Sequence, residues 1–170
     1  VALELARTSA GRVLFVSVYP DEPGMQRSAE IVKAARARAE AAGVAVDSKT
    51  MRAEPAEGIV ELADRGDAGL LVVGDVGMGG RRTLRPGGVP DRVSHSMPCD
   101  LLIVRTSKPE RAKPAGEYGS VLIATDGSDL AQKAVTQGLA MAQALDARVT
   151  ALYVTEPWVA VAPGEVAMAF

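Results

Sequence analysis

The sequence is poor in the residues that most small catalytic or metal-bound folds rely on. It has one Cys and one His in 170 residues. No intrachain disulfide can form, and a Cys/His zinc site cannot be assembled within one chain. A lone thiol fits a reducing compartment, so we expect a cytoplasmic protein. Aromatic residues are 4% of the chain, which leaves few rings to stack on bases and a core built from Ala, Val, Leu and Ile. Charge of one sign is also lacking. The net charge is −2 and the sequence pI is about 5.5, which offers no broad basic face to a nucleic-acid backbone. No apolar run is long enough to cross a bilayer.

Hydrophobic residues make up 48% and charged residues 24%, an ordinary globular balance. The chain opens at Val1 in what reads as the end of a helix, and we expect it to be part of something longer. Arg12 to Pro20 (RVLFVSVYP) is a β-branched, nearly continuous apolar run, as expected of a buried strand. From Gly24 to Ala42 the period changes. Ala29, Val32, Ala35, Ala39 and Ala42 share one helical stripe, and Gly43 stops it. Val44 to Met51 alternates weakly, like an edge strand. Pro55 opens a helix with Ile59, Leu62 and Ala63 on its apolar side, ended by Gly66. Gly69 to Val73 (GLLVV) has the most buried-looking strand pattern. Val89 to Met97 reads as a short helix and Leu101 to Val104 (LLIV) as another buried strand. Strands alternating with helices predict a parallel, doubly wound α/β sheet.

Ser107 to Gly119 (SKPERAKPAGEYG) has two prolines, two glycines and no apolar period, and reads as a linker. Beyond it, Val121 to Thr125 is a strand, Ala131, Val135, Gly138, Ala142 and Leu145 mark a helix face, and Arg148 to Val154 is a strand again. Residues 1–18 and 137–154 also match each other at an ungapped offset of 136. Leu3 meets Leu139, Ala6 meets Ala142, Arg12 meets Arg148, Val13 meets Val149 and Val18 meets Val154. Shared βαβ patterning accounts for part of this, but a linker between the copies favours duplication. We therefore expect a first domain over 1–106 that lacks its opening strand, a linker over 107–119, and the start of a second domain over 120–170.

The richest stretch for chemistry is GDVGMGGRRTLRPGG, Gly74 to Gly88. It joins the GLLVV strand to the helix near Val89. Glycines let backbone N–H groups approach an anion closely, and ligands of open α/β sheets sit beyond the carboxyl ends of the strands. The run is neither a Walker A loop nor a GxGxxG fingerprint. The same glycines also suit a plain connection with no ligand.

The run VVGDVGMGGRRTLRPGGVPDRVSHSMPCDLLIVRT resembles the closing part of a universal stress protein domain, and VLIATDGSDLAQKAVTQGLAMAQALDARVTALYV resembles the opening of another. The resemblance implies an open parallel five-stranded sheet in the order 3-2-1-4-5, flanked by helices and frequently occurring in tandem. It also implies ATP, with Mg²⁺, bound through a G-x2-G-x9-G-(S/T) loop in one branch of the family and no nucleotide in the other. Gly74, Gly77 and Gly87 match that loop, with Gly79 inside it. Gly88 stands where the family has Ser or Thr, so a hydroxyl donor to phosphate is missing. A hydrogen bond to a charged group is worth about 1.5–3 kcal/mol. Asp75 places a carboxylate beside the phosphates, which Arg81, Arg82 and Arg85 can offset. Asp126, in TDGS, matches the acid near adenine and ribose, and it also suits a turn or cap, with Ser128 as the alternative cap. Val154, and Val18 in the first copy, match the position whose backbone reads the adenine edge. Asp126 and Gly74 belong to different copies, so a tandem protein would put them in different sites. The alternative, a second copy's opening strand completing the first, meets competition from the strand RVTALYV that follows it.

His95 and Cys99 lie four apart around Pro98 with no orienting acid, which favours packing and capping over a nucleophile–base pair. The apolar tail from Trp158 to Phe170 points to an interface or a missing remainder. The resemblance also implies pairing, as a homodimer or between tandem domains, through the strand LLIVRT. Three functions stay open: an adenine-nucleotide-binding stress protein acting through partners, a dimerising module without nucleotide, and a slow ATP hydrolase in which Asp75 is the loop acid.

Overall fold

The computed structural model describes residues 1–66, 68–75, 88–105 and 118–153. The chain divides into two compact units, Val1–Ala115 and Gly116–Phe170.

In the first unit, α1 (Ala2–Thr8) leads through a tight turn into β1 (Val13–Tyr19). The helix α2 (Glu22–Ala41) starts on Asp21, whose side chain accepts a hydrogen bond from the Gly24 amide at 3.0 Å. This satisfies one of the free N–H groups of the first turn. Gly43, at φ +67°, carries the chain away from the helix end. The strand β2 (Val46–Arg52) runs parallel to β1, from Val13 opposite Val46 to Tyr19 opposite Arg52. The helix α3 (Pro55–Arg65) packs on β1 and on α4 (Val89–Ser94). Val93 of α4 is fully buried, a burial that contributes about 1.5–3 kcal/mol. β3 (Leu70–Gly74) and β4 (Asp100–Val104) form a second parallel pair, Leu70 opposite Asp100.

Among the described residues, the second unit is one βαβ motif. β5 (Ser120–Thr125) and β6 (Arg148–Tyr153) run parallel with α5 (Asp129–Ala144) between them. Residues Ala131, Val135, Gly138, Ala142 and Leu145 are the shielded side of this helix segment, as the periodicity predicts. Gly138 lies so close to β5 that a Cβ there would stand 2.9 Å from Ile123.

The sequence repeat extends to the backbone. Ala10 and Asp146, 136 residues apart, both adopt the left-handed conformation, at φ 52° and 50°. In each case the next residue donates back to the helix, Gly11 to the Ala6 carbonyl at 2.8 Å and Ala147 to the Ala142 carbonyl at 2.9 Å. Ala6 and Ala142 are both buried.

Several expectations need correction. All described strands pair in parallel, but as three two-stranded sheets. GLLVV and LLIV are half-buried, with Leu70 and Ile103 exposed. Each has a strand on one edge only among the described pairings, and an apolar run does not supply its own cover. β6 is exposed along its whole length for the same reason. In α2, Ala29 and Ala42 face out and Ser28 is buried instead. The Ser17 hydroxyl donates to the Ser28 hydroxyl at 2.9 Å, which removes the cost of an unpaired buried polar group. The stretch expected to be a linker lies almost wholly outside the described residues.

Candidate functional site

Ligand sites of parallel α/β sheets form where strands end and chains turn outward. In the first unit β3 ends at Gly74, and the Asp75 amide donates to the Val104 carbonyl at 2.9 Å, extending the β3–β4 ladder by one residue. The chain re-enters the described structure at Gly88, the residue before α4, with φ −71° and ψ 166°. This is extended backbone that any residue adopts. A Cβ at Gly88 would meet Pro90 at 3.7 Å, an ordinary contact. A Ser or Thr would therefore fit, and the missing hydroxyl is not imposed by the backbone. Gly77, Gly79 and Gly87, with Arg81, Arg82 and Arg85, lie outside the described residues.

Val18 stands one residue before the end of β1, opposite Met51. Its side chain fills the space left by Gly58 of α3, where a Cβ would approach Val18 to 2.8 Å. The packing role expected for Val18 is therefore present, and it joins β1 to α3.

The Gly88 carbonyl accepts the Arg92 amide at 3.0 Å. The Arg92 guanidinium reaches Glu54 at 2.8 Å and Glu57 at 3.8 Å. Glu54 is also the cap of α3, accepting from the amides of Ala56 at 3.0 Å and Glu57 at 3.2 Å. Partial burial pushes the Glu54 carboxyl up, but the Glu57 amide, the Arg92 charge and the Ala56 amide together hold it below the usual carboxylate value. The sequence reading missed this pair. Glu54 directly before Pro55 is a cap signal that was available, but nothing local links it to an arginine 38 residues on.

In the second unit, β5 runs into the turn Thr125-Asp126-Gly127-Ser128. The Asp126 carboxylate accepts the Ser128 amide at 2.9 Å, and the Thr125 hydroxyl accepts the Gly127 amide at 3.1 Å. Ser128 caps α5, accepting the Ala131 amide at 3.2 Å. The two roles left open in the sequence are thus divided: Ser128 is the cap and Asp126 shapes the turn. The Ser128 amide and hydroxyl hold the Asp126 carboxyl below its ordinary value. Gly127 is at φ +82°, and a Cβ there would stand 3.0 Å from the Tyr153 ring, so the turn requires glycine twice over. An open hollow of about 420 Å³ lies here, lined by Ala124, Thr125, Asp126, Ser128, Leu130 and Ala131. Val154 lies outside the described residues.

The His95 ring nitrogen Nδ1 meets the Asp91 carbonyl at 2.8 Å and the Ser94 hydroxyl at 3.3 Å, at the end of α4. Burial pushes the Cys99 thiol up, Asp100 adds to this, and a hydrogen bond with the Leu71 backbone opposes it. A thiol so placed is a poor nucleophile near neutrality. Among the described residues no three His, Cys, Asp or Glu side chains are grouped to hold a metal ion. Among them too, no helix is long and apolar enough to cross a membrane.

Residues 1–105 and 117–169 match the Universal stress protein family. The chain belongs to that family. A universal stress protein of Methanocaldococcus jannaschii is 33% identical over 81 residues, which are 48% of this chain and 48% of that protein. One of Mycobacterium tuberculosis is 39% identical over 79 residues, 46% of this chain and 54% of that protein. The chain thus spans about half the length of these curated relatives.

Among solved structures, a universal stress protein in complex with cAMP is 33% identical, with a TM-score of 0.53 over 62% of this chain and 82% of that one. The universal stress protein of Archaeoglobus fulgidus in complex with dAMP has a TM-score of 0.51 at 22% identity, over 61% of this chain and 82% of that one. A functionally unknown protein of Pseudomonas aeruginosa PAO1 reaches a TM-score of 0.63 at 14% identity, over 89% of this chain and 53% of that one. The last two carry the fold alone: α/β with parallel strands. Within that fold Gly74, Gly88 and Val18 belong to the first unit of this universal stress protein and Asp126 to the second.

Proposed function

We propose that this universal stress protein binds an adenine nucleotide, ATP with Mg²⁺ as the working ligand, and acts in the stress response by changing its contacts with partner proteins. The observation that carries the reading is the glycine-rich connection from Gly74 to Gly88, leaving the carboxyl end of β3, in a chain 33% identical to a relative solved with cAMP. In this reading Gly74, Gly77, Gly79, Gly87 and Gly88 are the glycines that bind the phosphates. Main-chain groups of Val18 and Val154 read the adenine edge in their respective copies, and Asp126 receives adenine and ribose in the second. The β1–β2 and β3–β4 pairs belong to one domain over 1–106 and the β5–β6 pair to another over 120–170, of a tandem fold whose strand order is 3-2-1-4-5. Pairing runs through the outer edge of β4, where Ile103 is exposed, and the lone thiol supports a cytoplasmic location.

A second reading, a dimerising module without nucleotide, is favoured by Gly88: the backbone there accepts a Ser or Thr, yet the hydroxyl is absent. One experiment separates the two. The purified chain is denatured, the released small molecules are identified by mass spectrometry, and the emptied protein is titrated with ATP and Mg²⁺. Retained adenine nucleotide, or saturable heat on titration, is the expected outcome. A protein that releases none and gives no heat is the module.

A further inference from the structure

The chain has no asparagine, and its one Asp–Gly sequence is Asp126–Gly127. A carboxyl followed by glycine closes readily on the next backbone nitrogen, because no Cβ stands in the way. Asp126 and Gly127 are both exposed, so water reaches them. The reaction has two steps. The Gly127 nitrogen attacks Cγ of the neutral Asp126 carboxyl, the amide proton and the carboxyl OH leave as water, and a succinimide forms. Water then opens the ring. Cleaving the new N–Cγ bond restores aspartate. Cleaving the original bond to the main-chain carbonyl instead leaves the chain running through Cγ, as isoaspartate. Nothing is oxidised or reduced, and the mass is unchanged.

The turn works against both partners of this reaction. The Gly127 amide donates to the Thr125 hydroxyl at 3.1 Å, which holds the proton that the nitrogen must lose. Asp126 Oδ1 accepts the Ser128 amide at 2.9 Å, and the side chain must release it to close the ring. The same amide, with the Ser128 hydroxyl, favours the carboxylate over the neutral acid that reacts. The Tyr153 ring lies against Gly127. The one Asp–Ser sequence, Asp47–Ser48, is instead held within β2, paired along β1.

We infer that Asp126–Gly127 is this chain's site of spontaneous conversion to isoaspartate, and that Thr125 and Ser128 restrain it. Conversion lengthens the main chain by one carbon between β5 and α5, which moves Ser128 relative to the turn it closes. The inference does not depend on the nucleotide reading.

The whole chain is aged at neutral pH, folded in buffer and unfolded in guanidinium chloride. Isoaspartate is counted by methyl transfer from an isoaspartyl methyltransferase and located by electron-transfer fragmentation of peptides. In the unfolded chain, position 126 should convert ahead of every other. In the folded chain it should convert at least about tenfold more slowly, the scale of two hydrogen bonds. Equal rates in the two states, or another position leading, overturn the inference. Thr125→Val removes the hydroxyl and keeps the shape. It should speed conversion in the folded chain about fivefold, the scale of one hydrogen bond. Thr125→Ser keeps the hydroxyl and should stay near the wild-type rate. Circular dichroism checks that both variants are folded. A rise in both, or in neither, overturns the inference, since the hydroxyl then holds nothing back. Should Thr125→Val fail to fold, Thr125→Ala replaces it on the same terms, and the comparison of folded with unfolded wild type stands without any variant.

Discussion

β1 and β6 hold equivalent places in the repeat, each entered from a buried alanine and a left-handed turn and each parallel to one neighbour. Their surroundings differ. β1 lies against α2 and α3 and is half-buried along most of its length. β6 packs mainly against β5 and is exposed throughout. The aligned residues follow. Ser17 faces the wholly buried Ser28, whereas its counterpart Tyr153 is 62% exposed and lies over Gly127. A β-branched run is enough to make a strand, and what packs on it decides which side chains it can carry.

Exchanging the two residues should break this contrast most sharply. Ser17→Tyr forces a ring against Ser28 and strands its hydroxyl, with an expected loss of about 3 kcal/mol or more. Urea denaturation followed by circular dichroism would measure it. The reverse change, Tyr153→Ser, should stay within about 0.5 kcal/mol, as for exposed sites generally. Comparable losses at both positions would remove the contrast. Gly58→Val comes next. Its Cβ would meet Val18 and Ala53 at 2.8 and 3.0 Å, and overpacking of this kind costs about 1–3 kcal/mol. Hydrogen exchange should report the opening in α3 and β1.

The second unit gives the smaller effects. Ser128→Ala removes the cap of α5 and should lower its stability by about 1 kcal/mol, read from faster exchange of the Ala131 amide. Asp126 supplies a pH test. Its carboxyl is held below the ordinary value, so the stabilisation is present above the unfolded value of about 3.9 and disappears as pH falls through the lower folded value. Melts should be level from about pH 7 to 5 and decline below about 4, and Asp126→Asn should flatten that decline. The smallest effect compares the two turns. Asp tolerates the left-handed region better than Ala. Ala10→Gly should therefore raise the melting temperature, by the equivalent of about 0.5 kcal/mol, and Asp146→Gly by less. Equal gains at both positions would mean that the turns are not strained alike.

Much of this was legible beforehand. The stripe on α5, the stop at Gly43, the helix opened by Pro55 and the repeat itself follow from periodicity and local steric rules. Ser128 as a cap was readable from its place before the helix. Burial was not readable: GLLVV and LLIV have the composition of covered strands but are only half-covered. Nor was the inward turn of Ser28, because the residue that satisfies it lies 11 positions away on another element.

The amino-acid order by itself determined the succession of helices and strands, though not their exact ends (α4 stops at Ser94, not Met97, and β2 spans Val46–Arg52), that the strands run parallel, and that a helix–turn–strand unit occurs twice. These depend on side chains and torsions a few residues apart. Tertiary structure alone decided that one glutamate should cap α3 and also hold Arg92, that Val18 should fill the hollow of Gly58, and that Tyr153 should close over Gly127. Each of these joins groups far apart along the chain, and the energy of such a contact exists only once folding has brought them together.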